Sequence, residues 1–335
     1  MKSSLFVVII SGLIFSLCGF KGYAQKPAKV KAEELKGWIN YLASDEMRGR
    51  ANGSPEMKTA ADWLSGKFKE YGVKPILPEG GYIQNYSYVA RQRTINERNV
   101  IGVIEGTNPA LKDQYIVLSS HFDHVGVRKR NDADSIYNGA DDNAAGTITI
   151  MAIAKTIKDS GLKPGRTIVF AAFSGEENGM RGSRNFVTNS PIPVKDIYAD
   201  LNFEMTGHSE YLGKKNYYMT GCKISNLDNL IGEFNKKSDF KLIDTIALAQ
   251  NLFSSSDNIA FSRVTSADGI SIGVPSGTFA TSTMPDYIHK PNDEGKYFDY
   301  ENMAGLVGYF SELIIWLSEN KSEIQFTDPA FSRVK

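Results

Sequence analysis

Five short stretches of the chain carry side chains that could do chemistry together. His121-Phe122-Asp123 is the first, and Asp141-Asp142 inside GADDNAAG is the second. Glu176-Glu177 follows in SGEE, Glu204 ends an apolar run, and Tyr287 and His289 close the set in PDYIHKP. Imidazole nitrogens and carboxylate oxygens form the mixed donor set that zinc accepts, and one carboxylate can bridge two ions. Taken singly, each stretch has a plainer reading. A histidine at a strand end is an ordinary polar loop residue. Adjacent acids face solvent or the N-terminus of a helix, and Asp142 with Asn143 could simply cap one. Placement argues for chemistry instead, because the stretches follow runs that should lie in one sheet and share one edge of it. Ser119, Ser120 and Ser174 lie close by, but none sits in the GxSxG pattern of a nucleophilic serine. They read as strand-end and turn residues.

The elements that must position these groups are visible as alternating patterns. Helical apolar spacing runs through Lys29 to Ser44 and again through Met57 to Tyr71. Strand-like runs follow at Asn99 to Ile104, Gln114 to Ser119, Arg166 to Phe173, Ile197 to Phe203 and Ser266 to Val274. Between and after them lie helical patterns at Asp142 to Lys158, Ser183 to Thr188, Asn226 to Phe234 and Tyr300 to Leu317. Continuously apolar strands are covered on both faces. Strands alternating with helices therefore predict an α/β three-layer sandwich around a central, mostly parallel or mixed sheet. In such sheets ligands collect beyond the carboxyl ends of the strands.

Composition narrows the function classes. The first residues have a basic start at Lys2, an apolar run from Leu5 to Leu17, and Gly22-Tyr23-Ala24 before Gln25. This reads as a signal peptide over residues 1–24, too short for a membrane span of roughly 20 apolar residues. Cys18 suggests a lipid anchor, but Leu17 stands where such a signal wants a small residue. The chain has 38 basic and 38 acidic residues. Loss of Lys2 and Lys21 leaves an acidic excess of two, which gives no electrostatic case for nucleic acid or a membrane surface. Only Cys222 then remains, so no intrachain disulfide staples an exported protein. Residues 25–335 can bury one large core as a single domain.

The motifs HFDHVG, GADDNAAG, AAFSGEENGMRGS and PDYIHKP resemble the co-catalytic zinc exopeptidases of metallopeptidase family twenty-eight. The upstream stretch YLASDEMRGRANGSPEMKTAADWLSGKFKEYGVKP is similar to that family's N-terminal helical region, so the resemblance covers most of residues 30 to 320. It implies the zinc-exopeptidase (phosphorylase/hydrolase-like) fold and two zinc ions acting on peptide substrates. Asp141 would bridge both ions, Glu177 and His289 would complete one site, and His121 and Glu204 the other. Asp123 would accept a hydrogen bond from His121 and fix its tautomer. Glu176 would be the general base, Tyr287 an oxyanion donor, and a cis peptide would precede Asp142. The chain departs from the family pattern at Glu204, where Asp is usual, at Ile288, which separates Tyr287 from His289, and at Asn258, which replaces a histidine. The relatives often carry a protease-associated insertion, for which Tyr88 to Lys112 leaves too little chain.

The resemblance favours hydrolysis of a terminal peptide bond, with an aminopeptidase as the default. Two rival readings remain at this level. A glutaminyl cyclase of the same fold would use a single zinc and lack the double aspartate. A non-catalytic binding module would have lost the base, which is present here as Glu176. Arg263 and Lys290 are candidate clamps for a substrate carboxylate, though surface charge is the simpler reading of both.

Overall fold

The computed structural model describes residues 29–129, 134–244, 252–266, 268–283 and 285–331. The expected signal peptide and Cys18 lie outside the described residues. An eight-stranded mixed sheet organises the rest. Its strands are β1 (Ile83–Ala90), β2 (Arg93–Ile104), β3 (Tyr115–His121), β6 (Thr167–Phe173), β7 (Ile197–Phe203), β8 (Asn216–Met219), β9 (Lys241–Leu242) and β10 (Ser276–Ala280). A separate two-stranded ribbon joins β4 (Gly126–Val127) to β5 (Ile136–Tyr137). The order across the large sheet is β1-β2-β6-β3-β7-β10-β8-β9. The four central strands β6, β3, β7 and β10 run parallel, and β2 and β8 flank them antiparallel.

The central strands β3 and β6 show why their sequences are largely apolar. On β3, Ile116 and Leu118 enter one core and Val117 the other; on β6, Ile168, Phe170 and Ala172 face one side and Val169, Ala171 and Phe173 the opposite side. All side chains of these two strands but Tyr115 at the start of β3 are buried because both faces are covered. One face carries α1 (Ala32–Leu42), α2 (Pro55–Glu70), α3 (Gly146–Asp159), α5 (Leu227–Asn235) and the C-terminal helix Tyr300–Glu319. The other carries α4 (Arg181–Thr188) and the short helix Asn258–Ser262. The result is the three-layer sandwich expected from the sequence.

Local chemistry sets the element boundaries. Helix α2 opens with Ser54, whose hydroxyl accepts the Met57 N–H, and has Pro55 in its first turn. It buries Met57, Ala60, Ala61, Leu64 and Phe68 along one stripe. Asp299 caps the C-terminal helix in the same way by accepting the Asn302 N–H. Two expectations need correction. Helix α3 begins at Gly146, not Asp142, because Asp142 and Asn143 take non-helical backbone angles. The fifth strand is Ser276–Ala280; the stretch Ser266 to Val274 makes only an isolated bridge between Thr265 and Ser271. The hairpin strand β1, polar and half exposed, was not foreseen.

Candidate metal centre

Three parallel strands deliver the site. His121 is the last residue of β3, paired in register with Phe173 at the end of β6. Glu176 and Glu177 follow that end by one turn, and Glu204 directly follows Phe203 at the end of β7. The GADD turn precedes α3, and the Pro285–Pro291 loop brings His289 over the top. Glycine at 146 lets the turn sit close to β7, since a Cβ there would lie 2.1 Å from the Phe203 carbonyl oxygen.

The structure gathers these side chains into two groups that share one residue. His121, Asp142 and Glu204 form the first, and His124, Asp142, Glu177 and His289 the second. Asp142 faces both: its Oδ1 is 3.5 Å from His121 Nε2, and its Oδ2 is 3.1 Å from His289 Nε2. His121 Nε2 lies 3.6 Å from Glu204 Oε1, and His289 Nε2 lies 3.0 Å from Glu177 Oε1. His121 Nε2, both ring nitrogens of His124 and Glu177 Oε1 are buried without a hydrogen-bond partner. Buried polar atoms are almost always satisfied, so the orphaned His121 Nε2, His124 Nδ1 and Glu177 Oε1, which line the two groups, fit bound cations. The donor chemistry of both groups suits zinc.

Of the residues expected from the sequence, His121, Glu177, Glu204 and His289 come together. Asp141 does not join them, and Asp142 stands at the shared position instead. The Asp141 carboxylate is taken up elsewhere, accepting from the Gly207 N–H at 2.9 Å, the Ser282 hydroxyl at 2.9 Å and the Tyr287 hydroxyl at 2.8 Å. The cis peptide joins Asp142 to Asn143, not Asp141 to Asp142. The Tyr287 proton is directed at Asp141 rather than at the metal groups. Burial, and then the Asp141 charge, hold that phenol far above its ordinary pKa.

Asp123 also differs from expectation. Its carboxylate is 3.6 Å from His121 Nδ1, beyond hydrogen-bond range. It accepts instead from Asn52 Nδ2 at 2.7 Å and from the backbone N–H groups of Glu176 and Glu177, each at 3.2 Å. Asp123 therefore pins the SGEE turn. Asn258, at the position of the family's histidine, is structural: it is buried, donates to the Phe253 carbonyl and accepts from Thr278.

A second shell of polar contacts holds the GADD turn. Asp293 accepts the N–H groups of Asp141 at 2.8 Å and Asp142 at 3.0 Å. Arg50, fully buried, donates to the carbonyls of Leu42, Phe122, Asn138 and Gly139 at 2.7–2.8 Å. Burial lowers its pKa to about 10, although Asp293 and Asp123 oppose that. These contacts fix the two loops that carry the ligands, as outer partners do around metal sites.

Electrostatics match a site built around positive charge. Burial would depress His121, yet Glu176, Asp123 and Glu204 drive its pKa well above the ordinary value. Burial raises Glu176 well above the carboxylate range, with only partial relief from His121. Burial also opposes ionisation of Glu177, but His124 and His289 outweigh it and lower its pKa. Glu176 belongs to neither group, its Oε2 standing 4.0 Å from His121 Nε2. A cleft of about 990 Å³ opens beside Glu177, His124 and His289, with Arg91, Arg93 and Arg128 in its wall.

Sequence reasoning missed the shared role of Asp142 and the presence of His124. The second was within reach, because HFDH places an imidazole three residues beyond His121.

Comparison with known proteins identifies the family. The model described as "Peptidase family M28" matches residues 99–313. The alkaline phosphatase isozyme conversion protein of Escherichia coli (strain K12) is 28% identical over 182 residues, 52% of this chain and 50% of that protein. The chain thus spans half the length of that relative. Leucine aminopeptidase 1 of Trichophyton rubrum is 26% identical over 273 residues, 76% of this chain and 67% of that one. The structure of BSAP, a zinc aminopeptidase from Bacillus subtilis, superposes with a TM-score of 0.64 at 13% identity, covering 91% of this chain and 98% of that one. That likeness establishes a shared fold. With the family match spanning well over half the chain and the metal-ligand motifs lying inside it, the protein belongs to peptidase family M28, the co-catalytic zinc exopeptidases, and is a metallopeptidase.

Proposed function

We propose that the chain is an exported aminopeptidase that holds two zinc ions and hydrolyses the terminal peptide bond of peptides. The observation that carries this reading is the double exposure of Asp142, one oxygen toward each donor group. His121, Asp142 and Glu204 would hold one ion, and Asp142, Glu177 and His289 would hold the other. Bound zinc supplies Lewis acidity and lowers the pKa of water toward neutrality. The protein's own contribution begins with Glu176. Its carboxylate lies outside both donor groups and beside the first, where it can take a proton from the attacking water and return it to the leaving amine. Asp123 keeps it there by holding the backbone of the SGEE turn. No covalent acyl-enzyme is needed.

A single-zinc cyclase accounts for only one of the two donor groups, and a binding module accounts for neither the shared carboxylate nor Glu176. Residues 25–335 would act as one catalytic domain behind a cleaved signal peptide, without a protease-associated insertion. Among the described residues no helix is long and apolar enough to cross a membrane. Arg263 stacks on Phe331, with its guanidinium 5.6 Å from the ring centre, and so has a local structural role.

End-blocked peptides test the direction of cleavage. Zinc-loaded protein should release the first residue from peptides with a free N-terminus and a blocked C-terminus. N-acetylated versions of the same peptides should be inert. Cleavage instead of N-acetylated peptides whose C-terminus is left free, at that end, would replace the aminopeptidase with a carboxypeptidase.

A further inference from the structure

The two donor groups differ in size, and the difference turns on His124. Its side chain is fully buried, and neither ring nitrogen has a hydrogen-bond partner. Nδ1 approaches Glu177 Oε1 to 3.0 Å, yet that oxygen is also without a hydrogen bond. Nδ1 lies 3.8 Å from Asp142 Oδ2. His289 Nε2 meets the same two oxygens at 3.0 and 3.1 Å. Tetrahedral zinc with bonds of about 2.0–2.1 Å separates its donors by about 3.3 Å, so this spacing suits four ligands around one ion.

The fold makes room for this imidazole. A Cβ at Gly139 would fall 2.4 Å from the His124 Cγ, so a residue with a side chain would push the ring away. The His124 N–H donates to the Arg50 carbonyl at 3.1 Å, which fixes the backbone that presents the ring. On the other side, among the described residues, His121, Asp142 and Glu204 converge. Glu176 Oε2 stands on that three-donor side.

Resting on the two-metal reading above, we infer that His124 is a fourth protein ligand, which closes the His289 site with four protein donors and leaves the His121 site with three. A four-donor site has no vacant position at a tetrahedral ion, whereas a three-donor site keeps one. The closed site therefore retains its ion tightly and orders the loop carrying His289. Water and substrate are handled on the His121 side, next to Glu176.

Metal-stripped protein titrated with cobalt(II) tests this without relying on activity. In the wild type the first equivalent should give the intense visible absorption of four-coordinate cobalt, unchanged by added azide, and the second an absorption that azide shifts, because its fourth position is open to solvent. His124→Asn should weaken the first, tight binding event by on the order of 100-fold, as loss of a direct ligand would, and leave the second unchanged. Circular dichroism of the metal-free forms checks that the variant folds, and the wild-type spectrum needs no variant. Weak absorption from the first equivalent, or a His124→Asn titration that matches the wild type while His289→Asn loses an ion, would overturn the role of His124 alone. If the wild type bound no cobalt, the two-metal reading itself would fall.

Discussion

Glu176→Gln is expected to leave metal binding intact and lower kcat by about 10²–10⁴-fold, the usual contribution of a general base. Glutamine matches the size of the side chain but cannot accept a proton from water. Glu176 contributes no atom to either donor group, and its side chain is 12% exposed, so the change removes a base without opening the site. Its turn remains pinned, because Asp123 holds it through the backbone N–H groups of 176 and 177, which the substitution does not touch. The neighbouring Glu177→Gln should behave differently. That side chain is a donor of the four-membered group, so zinc affinity should fall and activity should return partly at high zinc. Steady-state kinetics with metal analysis on both variants separates the roles. Metal loss in Glu176→Gln with full retention in Glu177→Gln would reverse them.

The second large effect is expected at Asp142. An amide offers one good ligand oxygen, so Asp142→Asn cannot serve two ions as a carboxylate does. Bound zinc should fall from two to at most one per chain, and peptide hydrolysis by about 10³-fold or more, because co-catalysis needs both ions. Asp141→Asn is the informative partner. Asp141 is bonded to Gly207, Ser282 and Tyr287 and reaches neither donor group. It should keep both ions, at a stability cost of about 1–3 kcal/mol for a disturbed buried hydrogen-bond set. Metal analysis that gives the opposite pattern would return the bridging role to Asp141.

That one-residue difference shows where the sequence stops being informative. Two adjacent aspartates carry the same chemistry, and which one faces the ions depends on a turn whose backbone angles at Asp142 and Asn143 are neither helical nor extended. Nothing local in GADDNAAG distinguishes the two. The strands that lead to His121, Glu177 and Glu204 were legible because each is covered on both faces and reads as a largely apolar run, Ser119, Ser120, Asp200 and Asn202 excepted. Strand β10 was not, since it is built from small and polar residues. A Cβ at Gly277 would fall 2.4 Å from the Thr220 carbonyl, and Ser276 and Thr278 bond to the buried Asn258. The more apolar stretch just before it was the better-looking strand, and tertiary packing overrode that pattern. His124 was passed over for a related reason. It lies past the end of β3, and only the folding of its loop around Arg50 returns its ring to the cluster.

The central claim is that two zinc ions sit in this site and that hydrolysis depends on both. Its most direct test is the zinc content of the purified wild-type chain, followed through removal by chelator and stepwise return. The expected result is two zinc ions per chain, no aminopeptidase activity after stripping, and full activity only as the second equivalent is restored. Undiminished peptide hydrolysis by stripped protein, or full activity at a single bound ion, would contradict the account.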